Sequence, residues 1–207
     1  HASLNQDLLF GGSASISGNY LLAEADYRLA DKESIVSLVL VHGNYDADTT
    51  RGYATGMAGK WHLGHREAFL PPQQGFDESF GLPYSNDMWP RGYALGDESR
   101  SKMYPILPRL VNGHVMGYTR GWVDMDAMTS SQGLRAVRFI EDNAGKDKPF
   151  FLYMPHTFPH TPLFASERFK GKSSRGIYGD VLAELDWNVG EVLKALKANG
   201  VADNTLV

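Results

Sequence analysis

KPFFLYMP, residues 148–155, is an apolar run of strand length, the mark of a strand covered on both faces. Downstream, GDVLAELDWNVGEVLKALKANG (179–200) places Leu182, Leu185, Val189, Val192 and Leu196 at spacings of 3, 4, 3 and 4, one apolar stripe of an α-helix. Gly200 stands where a helix-ending glycine belongs, and NTLV (204–207) begins another strand. Upstream, Thr129 with Gln132 has capping-box spacing. Leu134, Val137 and Ile140 then supply the apolar face of a helix that should stop near NAG at 143–145. The order helix–strand–helix–strand predicts an α/β fold whose sheet has parallel members. The chain opens at His1 without an initiator Met or signal peptide, and it ends inside a strand. The natural protein is therefore expected to be longer.

Further out, SIVSLVLVHGNYDAD (34–48) reads as a buried strand running into a Gly-Asn turn, and residues 51–64 as a second strand ended by Gly64. Residues 1–50 otherwise mix turn residues with short apolar pieces. From Phe69 to Thr119 the chain is rich in Pro, Gly and aromatics, as long irregular functional surfaces often are.

Hydrophobic content of 43% and aromatic content of 12% in 207 residues are those of a globular chain able to bury a core. A formal charge of −4 without a dense Lys/Arg block argues against nucleic acid as a partner. No apolar run approaches the roughly 20 residues a bilayer demands, so no membrane span is expected. With no cysteine, disulfides, zinc–thiolate sites and a cysteine nucleophile are excluded. An N-x-S/T sequon is also absent.

Three stretches carry candidate chemistry. In RGYATGMAGKWHLGH (51–65), an extended backbone would set Lys60 and His62 on one face and Trp61 on the other. An ammonium beside an imidazole N–H suits a tetrahedral oxyanion, and Gly59 would admit close backbone approach. Equally, Trp61 could pack the core while Lys60 and His62 face water. His62 and His65 lack a neighbouring carboxylate to complete a metal site. In PHTFPHTPL (155–163), His156 and His160 follow the buried strand, where α/β sheets bind ligands. Pro159 and Pro162 forbid the helix that would pair the two imidazoles. What remains is a histidine presented to a substrate or a loop stiffened by prolines. In GLPYSNDMWP (81–90), Ser85, Asn86 and Asp87 could bind a ligand or simply form a turn. The acids of ELD (184–186) and DESRSK (97–102) read as solvated.

GYATGMAGKWHLGH resembles the second signature of the sulfatase family, in its arylsulfatase branch. LPPQQGFDESFGLPYSNDMWP (70–90) is similar to the segment that follows there. KPFFLYMPHTFPHTPL and the chain through Val207 resemble the family's later strand, histidine loop and helix. The resemblance implies a partial alkaline-phosphatase/sulfatase-like sandwich, with a mostly parallel central sheet flanked by helices. Residues 51–207 would form part of a catalytic domain, and 1–50 an atypical segment before it. By the same resemblance, Lys60 and His62 would contact the sulfate and a hydrated formylglycine nucleophile. His160 would lie by the leaving-group oxygen and Ser85 at the substrate pocket, while His156 matches a less constant position. The implied activity is hydrolysis of sulfate monoesters of a small molecule or carbohydrate. The intact protein would use calcium in a periplasmic, lysosomal or secreted setting. Neither the particular ester nor the oligomeric state is written in these segments.

The chain also departs from that pattern. None of its ten prolines has a Cys or Ser two positions before it, so the C/S-x-P-x-R nucleophile motif is missing. The N-terminal acidic pair and the Asp-Asn-Gly of the calcium site have no match either, so no residue here is assigned to metal. The 207 residues alone are expected to be inactive. Two other readings stay open: a non-catalytic relative that binds sulfated ligands, and a phosphate or phosphonate ester hydrolase of the same superfamily.

Overall fold

The computed structural model describes residues 52–88, 104–119 and 121–207 in full, together with the backbone of strands 13–17, 20–24 and 37–42. Strands β1 (Ser13–Ser17) and β2 (Tyr20–Glu24) pair antiparallel with each other. The other strands are β3 (Ser37–His42), β4 (Ala54–Lys60), β5 (Glu78–Leu82), β6 (Pro108–Val111), β7 (His114–Tyr118), β8 (Phe150–Pro155) and β9 (Thr205–Leu206). They form one sheet in the order β7-β6-β5-β4-β8-β3-β9. The helices are α1 (Trp122–Asp126), α2 (Met128–Asn143) and α3 (Gly176–Ala198).

The centre of the sheet is parallel, with β4 between β5 and β8. Antiparallel pairing adds β6 and β7 on one side, and β3 and β9 on the other. The mostly parallel sheet expected from the sequence thus holds at the core, with antiparallel strands outside it. Strand β3, inside the 1–50 segment, belongs to the central sheet. The Phe69–Thr119 region is more regular than its composition suggests, because β5, β6 and β7 all lie within it.

Strand β8 is buried as its apolar run requires. Phe150, Leu152 and Met154 join Ala54 and Ala58 of β4, Ala136, Phe139 and Ile140 of α2, and Val192 and Leu196 of α3 in one core. Each such large side chain contributes about 1.5–3 kcal/mol on burial. Phe139 meets Phe150 edge-on at 5.9 Å. It also lies over Gly56, where a Cβ would stand 2.7 Å from the ring. On the opposite face Phe76 covers Phe151 and Tyr153.

Helix α3 ends as its sequence requires. Gly200 is left-handed (φ 70°), its N–H reaches Lys197 O, and the Val201 N–H reaches Leu196 O. Val201 is itself buried in the core with Leu196, which is the Schellman arrangement with its apolar contact. Two expectations for α2 fail. The N-cap of α2 is Ala127, and no side chain caps it. Thr129 and Gln132 are instead buried, and Gln132 Nε2 donates to Thr157 Oγ1 at 2.7 Å. Leu134 is 53% exposed, and the buried face runs through Gln132, Gly133, Ala136, Phe139 and Ile140.

A third expectation fails at ELD. Asp186 is exposed, but Glu184 is only 1% exposed. Glu184 accepts the Ser130 hydroxyl and the Ser166 N–H, each at 2.7 Å. One turn away on either side, Asp180 accepts the N–H groups of Gly171, Lys172 and Ser173, and Asn188 donates to Thr129 O. Those three N–H groups hold the Asp180 carboxyl below its ordinary pKa. A polar stripe on α3 therefore fastens α2 and the 166–173 segment that leads back from the histidine loop. DESRSK lies outside the described residues.

Candidate functional site

The site stands at the C-terminal ends of β4, β5 and β8. Lys60 is the last residue of β4 and only 7% exposed, while Trp61 is buried with its Nε1 donating to Phe69 O. Of the sequence alternatives, the core role of Trp61 holds and His62 is exposed, but Lys60 does not face water. Nor does strand alternation bring Lys60 and His62 together. Gly59 has φ 153°, and a Cβ there would overlap the carbonyl oxygen of Pro155 on β8. Gly81 of β5 is pressed in the same way onto the backbone of Gly59. The close approach predicted at Gly59 is therefore strand against strand, not backbone against ligand. The chain then turns at His62, which is left-handed at φ 53° and whose N–H bonds Pro83 O.

The four residues singled out from the sequence do converge. Burial, the largest effect, lowers the Lys60 pKa, and the Asp87 carboxylate partly opposes it. His62 has an exposed side, yet partial desolvation lowers its pKa most, and the nearby charges of Lys60 and His160 lower it further, while Asp87 raises it. Ser85 Oγ lies 3.4 Å from His160 Nδ1. The same ring nitrogen is 2.6 Å from the carbonyl oxygen of Thr161. A carbonyl only accepts, so Nδ1 carries a proton, and Nε2 is the ring nitrogen left for a ligand. The cluster thus combines an ammonium, two imidazoles and a hydroxyl around a single carboxylate. A tetrahedral dianion entering it would meet donors on several sides and relieve repulsion among the cations.

The other candidates separate. His65 is exposed and sets its ring edge-on against Tyr84 at 5.8 Å. His156 is 3% exposed, neither ring nitrogen has a hydrogen-bond partner among the described residues, and burial takes its pKa down to about 4. As its prolines require, the 156–163 segment is not helical. For Asn86 the sequence leaves open a ligand contact or a turn residue, and the structure gives it a third role. Its side chain is fully buried, and Nδ2 donates to Pro162 O at 3.1 Å and His160 O at 3.4 Å. The sequence quotes both segments but not their contact, which joins residues 76 positions apart.

Among the described residues no three His, Asp or Glu side chains are placed to hold a metal ion. A calcium ion takes six to eight oxygen ligands, and the carboxylate acting on Lys60 and His62 is Asp87 alone. The described residues therefore do not fit a calcium site. No helix among them is long and apolar enough to cross a membrane.

The family model described as Sulfatase matches residues 49–207. N-acetylgalactosamine-6-sulfatase of Mus musculus is 35% identical over 163 residues, covering 75% of this chain and 29% of the relative. Arylsulfatase A of Homo sapiens is 38% identical over 169 residues, covering 76% and 32%. Among solved structures, the PsFucS1 sulfatase from Pseudoalteromonas sp. superposes with a TM-score of 0.66 at 25% identity, covering 75% of this chain and 34% of that one. Ps i-CgsB in complex with k-i-k-neocarrahexaose gives 0.54 at 28% identity, covering 74% and 36%. The chain spans about a third of the length of these relatives. With the parallel strand ends, the basic cluster and a family model that matches from residue 49 to the last residue, the chain belongs to the sulfatase family.

Proposed function

We propose that residues 51–207 form part of the catalytic domain of an arylsulfatase-like enzyme that hydrolyses sulfate monoesters to an alcohol and inorganic sulfate. The observation that supports this most is the meeting of Lys60, His62, Ser85 and His160 at the ends of the parallel strands. Lys60 and His62 would bind sulfate oxygens and stabilise the charge that builds as the ester breaks. His160, once protonated, would donate its Nε2–H to the leaving-group oxygen, and Ser85 would bound the substrate pocket. Asp87 would keep the two cations from repelling each other out of register.

Enzymes of this family generally depend on a metal. We assign neither calcium nor the formylglycine nucleophile, both implied by the resemblance, to a residue of this chain, because the described residues do not fit calcium and the 207 residues lack the nucleophile motif. The substrates would be sulfated carbohydrates or small molecules, in keeping with a structural neighbour solved with a neocarrahexaose. The compartment would be lysosomal, periplasmic or secreted.

Binding and turnover test the proposal separately. In the 207-residue chain, calorimetry with inorganic sulfate should show binding that tightens as pH falls through the ordinary histidine range. An entering anion raises the depressed His62 pKa, so sulfate binding takes up a proton. Lys60→Ala should abolish this binding, and binding unchanged in that variant would refute the anion site. In the full-length protein Lys60→Ala should lower turnover of a chromogenic aryl sulfate by about 10²–10³-fold, the usual cost of one preorganised charge-stabilising group. Faster turnover of phosphate esters than of sulfate esters would replace the sulfatase reading with the phosphatase one.

A further inference from the structure

We propose that Asn86 is a positioning residue that holds the His160 Nδ1–H on the Thr161 carbonyl, so that Nε2 is the nitrogen that takes up a proton and presents it to the bound ester. This rests on the reading that His160 faces the substrate.

Three contacts carry the inference. The Asn86 carboxamide is fully buried on the turn after β5 and reaches across to the histidine loop. Its Nδ2 donates to the carbonyls of Pro162 and His160. Both acceptors are carbonyls, so the amide orientation is fixed without ambiguity. Between those carbonyls lies Thr161, whose own carbonyl takes the His160 Nδ1 proton at 2.6 Å. One side chain thus pins both ends of the three-residue segment that sets the imidazole. A donor–acceptor pair between adjacent residues is strained in most backbone conformations, so the Nδ1–H···O contact persists only while the segment is held. Ser85, the preceding residue, sits 3.4 Å from the same nitrogen. The pin therefore also sets the distance between the hydroxyl and the ring. Ordinary turn chemistry accounts for an asparagine here, but not for one buried side chain spanning two carbonyls of a distant loop.

The test uses the 207-residue chain with 15N-labelled histidine, above the pH at which the imidazoles protonate. In the wild type, His160 should show one tautomer, with the proton on Nδ1. In Asn86→Ala, and in Asn86→Asp, which keeps the volume but cannot donate, the His160 nitrogens should move toward the averaged shifts of mixed tautomers. The His156 signals report whether the fold persists. Inorganic sulfate, titrated against the His160 signals after the pH is lowered so that Nε2–H can donate, should bind at least about threefold more weakly in both variants, less than the tenfold expected of a lost direct contact. A folded variant that keeps the Nδ1–H tautomer overturns the proposal. Should both variants unfold, the wild type still decides. Asn86 amide protons exchanging as fast as those of a free carboxamide overturn the lock, and slow exchange supports it. Failure of wild-type His160 to respond to sulfate would overturn the anion-site reading, while the tautomer result would stand or fall on its own signals.

Discussion

Replacing Gly133 with Ala should destabilise this protein, although Gly→Ala inside a helix ordinarily stabilises by about 1 kcal/mol. Gly133 lies in the buried face of α2, where α3 crosses. A Cβ there would overlap the carboxamide of Asn188 and stand 2.8 Å from its Nδ2. Asn188 is itself buried, and Nδ2 donates to Thr129 O at 3.1 Å. The methyl must push this amide aside. The lost bond leaves buried polar groups unpaired, costing about 1–3 kcal/mol, and overpacking adds about 1–3 kcal/mol. After the propensity gain, Gly133→Ala should lower stability by about 3 kcal/mol. Urea unfolding followed by circular dichroism measures this directly. Asn188→Ala removes the obstacle, so the double variant should be less destabilised than the sum of the singles, with a coupling of about 2 kcal/mol. A stabilised Gly133→Ala, or additive singles, would refute the close crossing of the helices.

Other perturbations follow from the same contacts. His156 takes up its proton near pH 4 when folded and near its ordinary value of about 6.5 when unfolded. Its contribution is present in full above the higher value and fades as pH falls toward the lower one. The span of about 2.5 pH units is worth about 3 kcal/mol. His156→Gln should flatten the pH dependence of unfolding between 6.5 and 4, and an unchanged slope would contradict the burial. Glu184→Ala strands the Ser130 hydroxyl and the Ser166 N–H and should cost about 3 kcal/mol. Glu184→Gln keeps an acceptor oxygen and should cost less. Thermal unfolding of the two variants checks that order, and its reversal would mean that packing rather than hydrogen bonding dominates.

Where one apolar signal was long and one-sided, the fold was legible in the sequence. Strand β8 and the stripe and glycine end of α3 are of this kind. Helix α2 ends near 143 as its sequence suggests and turns Ile140 and Val137 inward, but it also buries glycine, alanine and glutamine against α3, so Leu134 is left outside. Glu184 was read as solvated because its partners come from two other segments, and no local spacing announces them. Lys60, His62, Ser85 and His160 were found through family resemblance. The alternation invoked for the first two breaks at Gly59, whose sterics are set by β8 and β5 rather than by its own strand. Asn86 was within the quoted segment, but its work is visible only when the histidine loop is brought beside it.

The turn after β5 assigns three tasks to three consecutive residues. Ser85 addresses an imidazole, Asn86 two backbone carbonyls, and Asp87 an ammonium. Such a segment is far less tolerant of a change in length than of a change in identity. A substitution removes one task, whereas a single inserted or deleted residue rotates all three away from their targets together. In a lineage descending from this chain, the spacing from Leu82 to Asp87 should therefore outlast most of the side chains around it, and loss of that spacing would mark the point at which the pocket ceased to be under selection.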